Sequence, residues 1–156
     1  MVDEAKPNTT PEFHVLGLKK FLRVLNKLPK ELNNEVRDAS QAIANDLADH
    51  AKQAAHTPQA QLAASVLKAK RDRIPKVVVP RTKVRGNARA TDIFYGAEFG
   101  GQRRPTTMQF PPHMGRRGYF LYPTARARGK HYFDMWSDAV DKAFKEWNDH
   151  NPTEND

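Results

Sequence analysis

The sequence predicts an α+β domain: a small, mainly antiparallel sheet packed against a long N-terminal helix and a C-terminal amphipathic helix. Three observations predict it. Apolar residues recur every three or four positions from Leu32 to Ala54, and again from Phe133 to Trp147, which is the period of a helix with one buried face. Between these segments, Ile93-Phe94-Tyr95 and Tyr119-Phe120-Leu121-Tyr122 are aromatic runs bounded by glycine or proline, a pattern that suits pleated strands. Helices gathered on one face of a short sheet complete a layered core, with strands expected near residues 74–84, 90–96 and 118–122.

Length and composition narrow the function classes. The chain of 156 residues reads as one domain over 12–149, between a polar leader at 1–11 and a polar tail at 150–156 that are both expected to be disordered. Lys and Arg number 26 against 18 Asp and Glu, for a net charge of +8, which suits an anionic neighbour and equally serves solubility. The absence of cysteine excludes disulfides, thiolate metal sites and cysteine nucleophiles. Asp3, Glu4, Lys6 and Pro7 do not read as a signal peptide, and no stretch approaches the roughly eighteen apolar residues of a membrane span. A soluble product made in a cytoplasm is expected.

Taken in order, Phe13 and Val15 alternate with polar residues and permit a short strand before Gly17. Leu18, Phe21, Leu22, Leu25 and Leu28 then fall at helical spacing. Pro29 fits a first turn but not a helix interior, so it marks a break and a new start. The second helix runs from about Pro29 to about Ala55, with Leu32, Val36, Ala39, Ile43, Leu47, Ala51 and Ala54 on its apolar face. Thr57-Pro58 ends it and caps a further turn or two. A basic arm follows over 68–89, in which Asp72 is the single acid, and its strand character is limited by Pro75 and Pro80 to an edge or an extended segment. Gly86-Asn87 can turn this arm into a hairpin with the strand containing Ile93. The loop over 100–118 is basic and proline-containing, too long for a tight turn, and expected to be loosely held without a partner. Pro123-Thr124 starts the last helix, whose stripe Phe133, Trp136, Val140, Ala143, Phe144 and Trp147 reads as core.

No catalytic pattern stands out. The six histidines show no metal-binding spacing, and Ser40, Ser65 and Ser137 sit in helical patterns rather than at a nucleophile turn. The candidate contact residues are therefore charged. Arg103, Arg104, Arg116 and Arg117 cluster on the 100–118 loop, and Arg71, Arg73, Arg81, Lys83 and Arg85 lie on the basic arm. Glu98 is the one acid set among arginines, either paired with Arg103, Arg104 or a neighbouring subunit's arginine, or a solvated turn carboxylate. A further cluster of Arg116, Arg117, Arg126, Arg128, Lys130 and His131 brackets the last expected strand.

Two short segments carry a resemblance: Glu98-Phe99-Gly100, and Phe120-Leu121-Tyr122-Pro123-Thr124-Ala125 at the start of the last helix. In their order and spacing, between a long N-terminal helix and an amphipathic C-terminal one, the chain resembles the neck or tail-completion family of long-tailed phages over most of residues 13–148. Members are also described as minor tail or head-to-tail connector proteins. One departure is that Thr57-Pro58-Gln59-Ala60-Gln61-Leu62 lacks a glycine common after the long helix in that family. The resemblance implies a structural virion protein without catalysis, cofactor or metal. It would be a subunit of a homo-oligomeric ring, a hexamer above other states, around the DNA channel. Its neighbours would be head-closure and tail-terminator proteins, with non-specific contact to packaged double-stranded DNA and none to membrane. The competing expectation is a basic nucleic-acid-binding protein acting alone.

Overall fold

The computed structural model describes residues 18–101 and 109–151. The expected strand at Phe13–Val15, the leader and nearly all of the tail lie outside the described residues.

Helix α1, Leu18–Leu25, ends before Pro29, and the chain restarts as α2, Lys30–Ala54, as the proline's missing N–H and fixed φ require. Helix α3, Pro58–Ser65, begins with Pro58 in its first turn, and Thr57 Oγ1 accepts the Ala60 N–H at 3.1 Å. Strands β1, Lys68–Lys70, and β2, Lys76–Val78, form one antiparallel ribbon. Strands β3, Lys83–Arg85, and β4, Ala88–Arg89, form a second around the positive-φ Gly86. Helix α4, Ala90–Phe99, a 3-10 turn at Gly115–Arg117, and helix α5, Leu121–His150, complete the chain.

The α+β class holds, but the sheet differs from expectation. Residues 90–96 are helical, and 118–122 are a turn running into α5, so neither aromatic run is a strand. Ala90, Phe94, Ala97 and Glu98 are the buried positions of α4, which is helical spacing, while Tyr95 on the opposite side is exposed. Asp92 accepts the Arg89 N–H at 2.9 Å and so satisfies a backbone donor just ahead of that helix. Composition favoured strand in this run, but the burial period is that of a helix. The hairpin at Gly86-Asn87 forms, with a return arm of only Ala88–Arg89.

Two apolar clusters share α2. The first joins Leu25, Leu28, Val36 and Ile43 to Tyr132, Trp136, Val140 and Ala143 of α5. The second joins Ala48, Ala51 and Ala55 to the small residues Ala60, Ala63 and Ala64 of α3, to Phe94 and Ala97 of α4, and to Phe120. Because α2 is covered on two flanks, its buried stripe also takes in Ser40, Ala44 and Ala48. The two long helices run antiparallel: Asp46 meets Tyr132, whereas the earlier Ser40 and the later Trp136 bond the same Arg73 carbonyl, at 3.0 and 2.7 Å. Phe133, expected in the core stripe, is exposed, and Tyr132 takes its place one residue earlier.

Candidate functional site

The resemblance segments meet at one buried carboxylate. Helix α5 starts after Tyr119-Phe120 with no side chain at its N-cap to accept its free N–H groups. Glu98, at the end of α4, supplies the acceptor from across the fold. Its Oε2 accepts the N–H groups of Phe120 at 3.2 Å and Leu121 at 2.9 Å, and its Oε1 accepts that of Tyr122 at 2.9 Å. The next residue is Pro123, which has no N–H, and the Thr124 N–H reaches the Phe120 carbonyl at 3.3 Å. Every first-turn donor of a 30-residue helix is thereby accounted for.

Glu98 is 0% exposed, so the expectation of an exposed contact or solvated turn carboxylate is corrected. It pairs with backbone rather than with arginine, because a helix N-terminus offers several aligned donors and a favourable dipole within a dry site. Burial raises its carboxyl above the usual range, against the pull of the three N–H bonds and the nearby Arg126. Gly118, with φ +72°, passes directly over the carboxylate, where a Cβ would collide with Oε1.

The same region clamps the base of the 100–118 loop. Gly100 has φ +75°, and a Cβ there would strike the Pro112 carbonyl. Gly101 N–H donates to the Pro111 carbonyl at 3.0 Å, Met114 N–H to the Phe99 carbonyl at 2.9 Å, and Tyr119 Oη–H to the Pro112 carbonyl at 2.5 Å. Residues at the two ends of the loop are therefore bonded to one another, and Met114 to the last residue of α4. Arg103 and Arg104 lie outside the described residues. Arg116 and Arg117 are exposed on the 3-10 turn, and the Arg117 carbonyl accepts from the Arg126 guanidinium. Tyr95 stacks on Phe99, which meets the Tyr122 ring edge-on at 5.1 Å, so an aromatic row runs along the outside of the joint.

The basic arm divides into two kinds of residue. Arg71 donates to Asp38 at 2.8 Å, and Arg73 to the Leu22 carbonyl at 3.1 Å and Asn26 Oδ1 at 2.5 Å, so both bind the arm to α1 and α2. They are structural ties here rather than free contact groups. Arg81, Lys83 and Arg85 remain exposed. Of the later cluster, Arg128 donates to Tyr132 Oη at 2.9 Å and to Asp46 at 3.3 Å, and Lys130 pairs with Asp134 at 2.8 Å. Tyr132 Oη in turn donates to Asp46 at 2.5 Å. That bond holds the Asp46 carboxyl below its ordinary range, and burial with the same bond pushes the Tyr132 hydroxyl up to about 12.

Two features escaped sequence reasoning: the Arg73 carbonyl shared by Ser40 and Trp136, and the link from Asp46 to Tyr132 and Arg128. Tyr132 and Phe133 both lie at helical spacing from Trp136 and Val140, so periodicity alone did not separate the buried Tyr132 from the exposed Phe133. Among the described residues no group of three or more His, Asp or Glu side chains is placed to hold a metal ion, and no helix is long and apolar enough to cross a membrane. Comparison with models of known families, with curated proteins and with solved structures finds no match.

Proposed function

We propose that this chain is a non-catalytic structural subunit of the head-to-tail joint of a long-tailed phage, acting in a homo-oligomeric ring around the DNA channel. The observation that carries the reading is the bond between the segments on which the resemblance rests. Glu98 of Glu98-Phe99-Gly100 takes the backbone N–H groups of Phe120, Leu121 and Tyr122, so the two segments act as one structural unit. A fully buried carboxylate with both oxygens engaged by backbone donors offers nothing to a substrate. Its effect is to fix the angle between α4 and α5 and to seat the loop base beside them, which suits a part that must present a rigid edge to neighbours.

In this reading Arg116 and Arg117, exposed where the loop rejoins the fold, meet an adjacent subunit or a head-closure or tail-terminator neighbour through bidentate pairs with carboxylates. Deleting the gene should leave filled heads and separate tails in lysates, and supplying the chain should restore joined particles. Joined, infective particles made without the chain would overturn the proposal. The exposed basic ribbons favour the competing reading, a stand-alone nucleic-acid-binding protein, which the same deletion separates because it would leave particle joining intact.

A further inference from the structure

We propose that the two β-ribbons form a phosphate-binding face for double-stranded nucleic acid, read through its backbone and not its bases. Antiparallel pairing places Lys70 opposite Lys76 and Lys83 opposite Arg89. Like charges directly opposite one another destabilise a ribbon, so this arrangement is compensated when an anion lies across it. Asp72, the one acid among residues 68–89, already offsets Lys76 at 2.6 Å, and Asp92 accepts the Arg89 backbone N–H, which leaves Lys70 and the Lys83 and Arg89 side chains to an outside anion. Among the described residues, Lys68, Lys70, Arg81, Lys83, Arg85 and Arg89 are exposed and have no ion-pair partner. Arg85 of the second ribbon lines a shallow depression with Pro58, Gln61, Leu62 and Ser65 of α3, the helix whose end leads into Lys68 of the first.

Charge alone would also suit an acidic protein, and composition decides between the two. Protein interfaces are poor in lysine and rich in aromatic residues at their centres. This face is the reverse: residues 68–89 contain no aromatic residue, and Val78 is their single large apolar side chain exposed among the described residues. The lack of aromatics also argues against single strands, which are held by base stacking, and leaves the regular phosphate rows of a duplex. The inference deepens the proposed reading and rests on it only for naming that duplex as the genome in transit. Arg116 and Arg117 are left to neighbouring subunits.

The test is fluorescence anisotropy of the purified chain with a short labelled DNA duplex of mixed sequence. With about six phosphate contacts, affinity should fall about 10³-fold between about 50 and 200 mM salt. A Lys68→Gln, Lys70→Gln, Lys83→Gln, Arg85→Gln variant should bind about 10²-fold more weakly at low salt, with a much shallower salt slope. The two half-variants, one per ribbon, should each lose part of that, so a folding fault in either would not hide the effect. Arg116→Gln with Arg117→Gln should leave binding unchanged. No duplex binding, equal loss in the Arg116 and Arg117 variant, tighter binding of oligo-dT, or equal competition by polyglutamate per charge would each overturn the inference. Because deletion of the gene reads particle joining and anisotropy reads DNA binding, failure of one is distinguishable from failure of the other.

Discussion

Replacing Glu98 by alanine isolates the contact between the end of α4 and the first turn of α5. The substitution leaves the Phe120 N–H buried without an acceptor, at about 1–3 kcal/mol for an orphaned donor. The Leu121 and Tyr122 N–H groups are only partly buried, so water recovers some of their bonding, and each loses about 1 kcal/mol. Against this, the buried charge itself is removed, and burial was working against that charge. The net loss should be about 3 kcal/mol, which at a urea slope of roughly 2 kcal/mol/M lowers the unfolding midpoint by about 1.5 M. Tryptophan fluorescence follows the transition, and amide exchange should quicken at the first turn of α5. Gly118→Ala extends the argument into a double-mutant cycle, because its Cβ collides with Glu98 Oε1. Alone it should cost about 2–3 kcal/mol, and in the Glu98→Ala background the positive-φ strain and a tight approach to Tyr122 Cβ remain while the clash with the carboxylate is gone, a coupling of about 1–2 kcal/mol. A Glu98→Ala change within about 0.5 kcal/mol, or strict additivity with Gly118→Ala, would refute the cap.

Trp136 packs edge-on against Phe21 and donates to the Arg73 carbonyl, so Trp136→Ala should cost about 3–5 kcal/mol in thermal or urea unfolding; an unchanged melt would remove it from the core. Asp46, held low first by the Tyr132 hydroxyl, and Asp72, held low first by the Lys76 ammonium, contribute stability that is present above the ordinary carboxylate value and lost as pH falls through their lowered folded values. Both are partly solvated, so Asp46→Asn should remove only about 0.5–1 kcal/mol at neutral pH and flatten part of the acid limb of a stability–pH curve. Tyr132, raised to about 12, contributes stability that is complete below its ordinary value near 10 and lost as pH rises through about 12. Tyr132→Phe should therefore cost about 1 kcal/mol at neutral pH and show a smaller alkaline loss than the parent; an identical alkaline limb would contradict the assignment.

Much of the helical frame was legible because its signals are local. Pro29 cannot sit inside a helix, Thr57-Pro58 builds its own cap, and the period of Val36, Ile43 and Ala51 needs no tertiary knowledge. The aromatic runs misled because aromatic content favours strands on average, while the placement of Phe94 and Ala97 against Ala60, Ala63 and Ala64 is a property of the assembled core. Proline also proved a sharper marker than hydrophobic content: β2 begins just after Pro75 and ends before Pro80. Glu98 drew notice as an acid among arginines, but its partners are backbone groups from the other end of the loop, and no spacing rule reaches that far. One signal was available, since Gly118-Tyr119-Phe120 offers α5 no capping side chain and a buried helix end must find an acceptor elsewhere. The arm was legible as basic but not as divided, because only the fold shows that Arg71 and Arg73 bond to groups of the N-terminal helices while Lys83 and Arg85 have no ion-pair partner among the described residues.

Cryo-electron microscopy of purified phage made with this chain reads its proposed place in the particle directly. A subunit of the proposed kind should appear as a closed ring of copies at the joint between capsid and tail, with Glu98 beneath the first turn of α5 in every copy. Particles whose joint contains no density for this fold, or purified virions from which the chain is missing altogether, would contradict it.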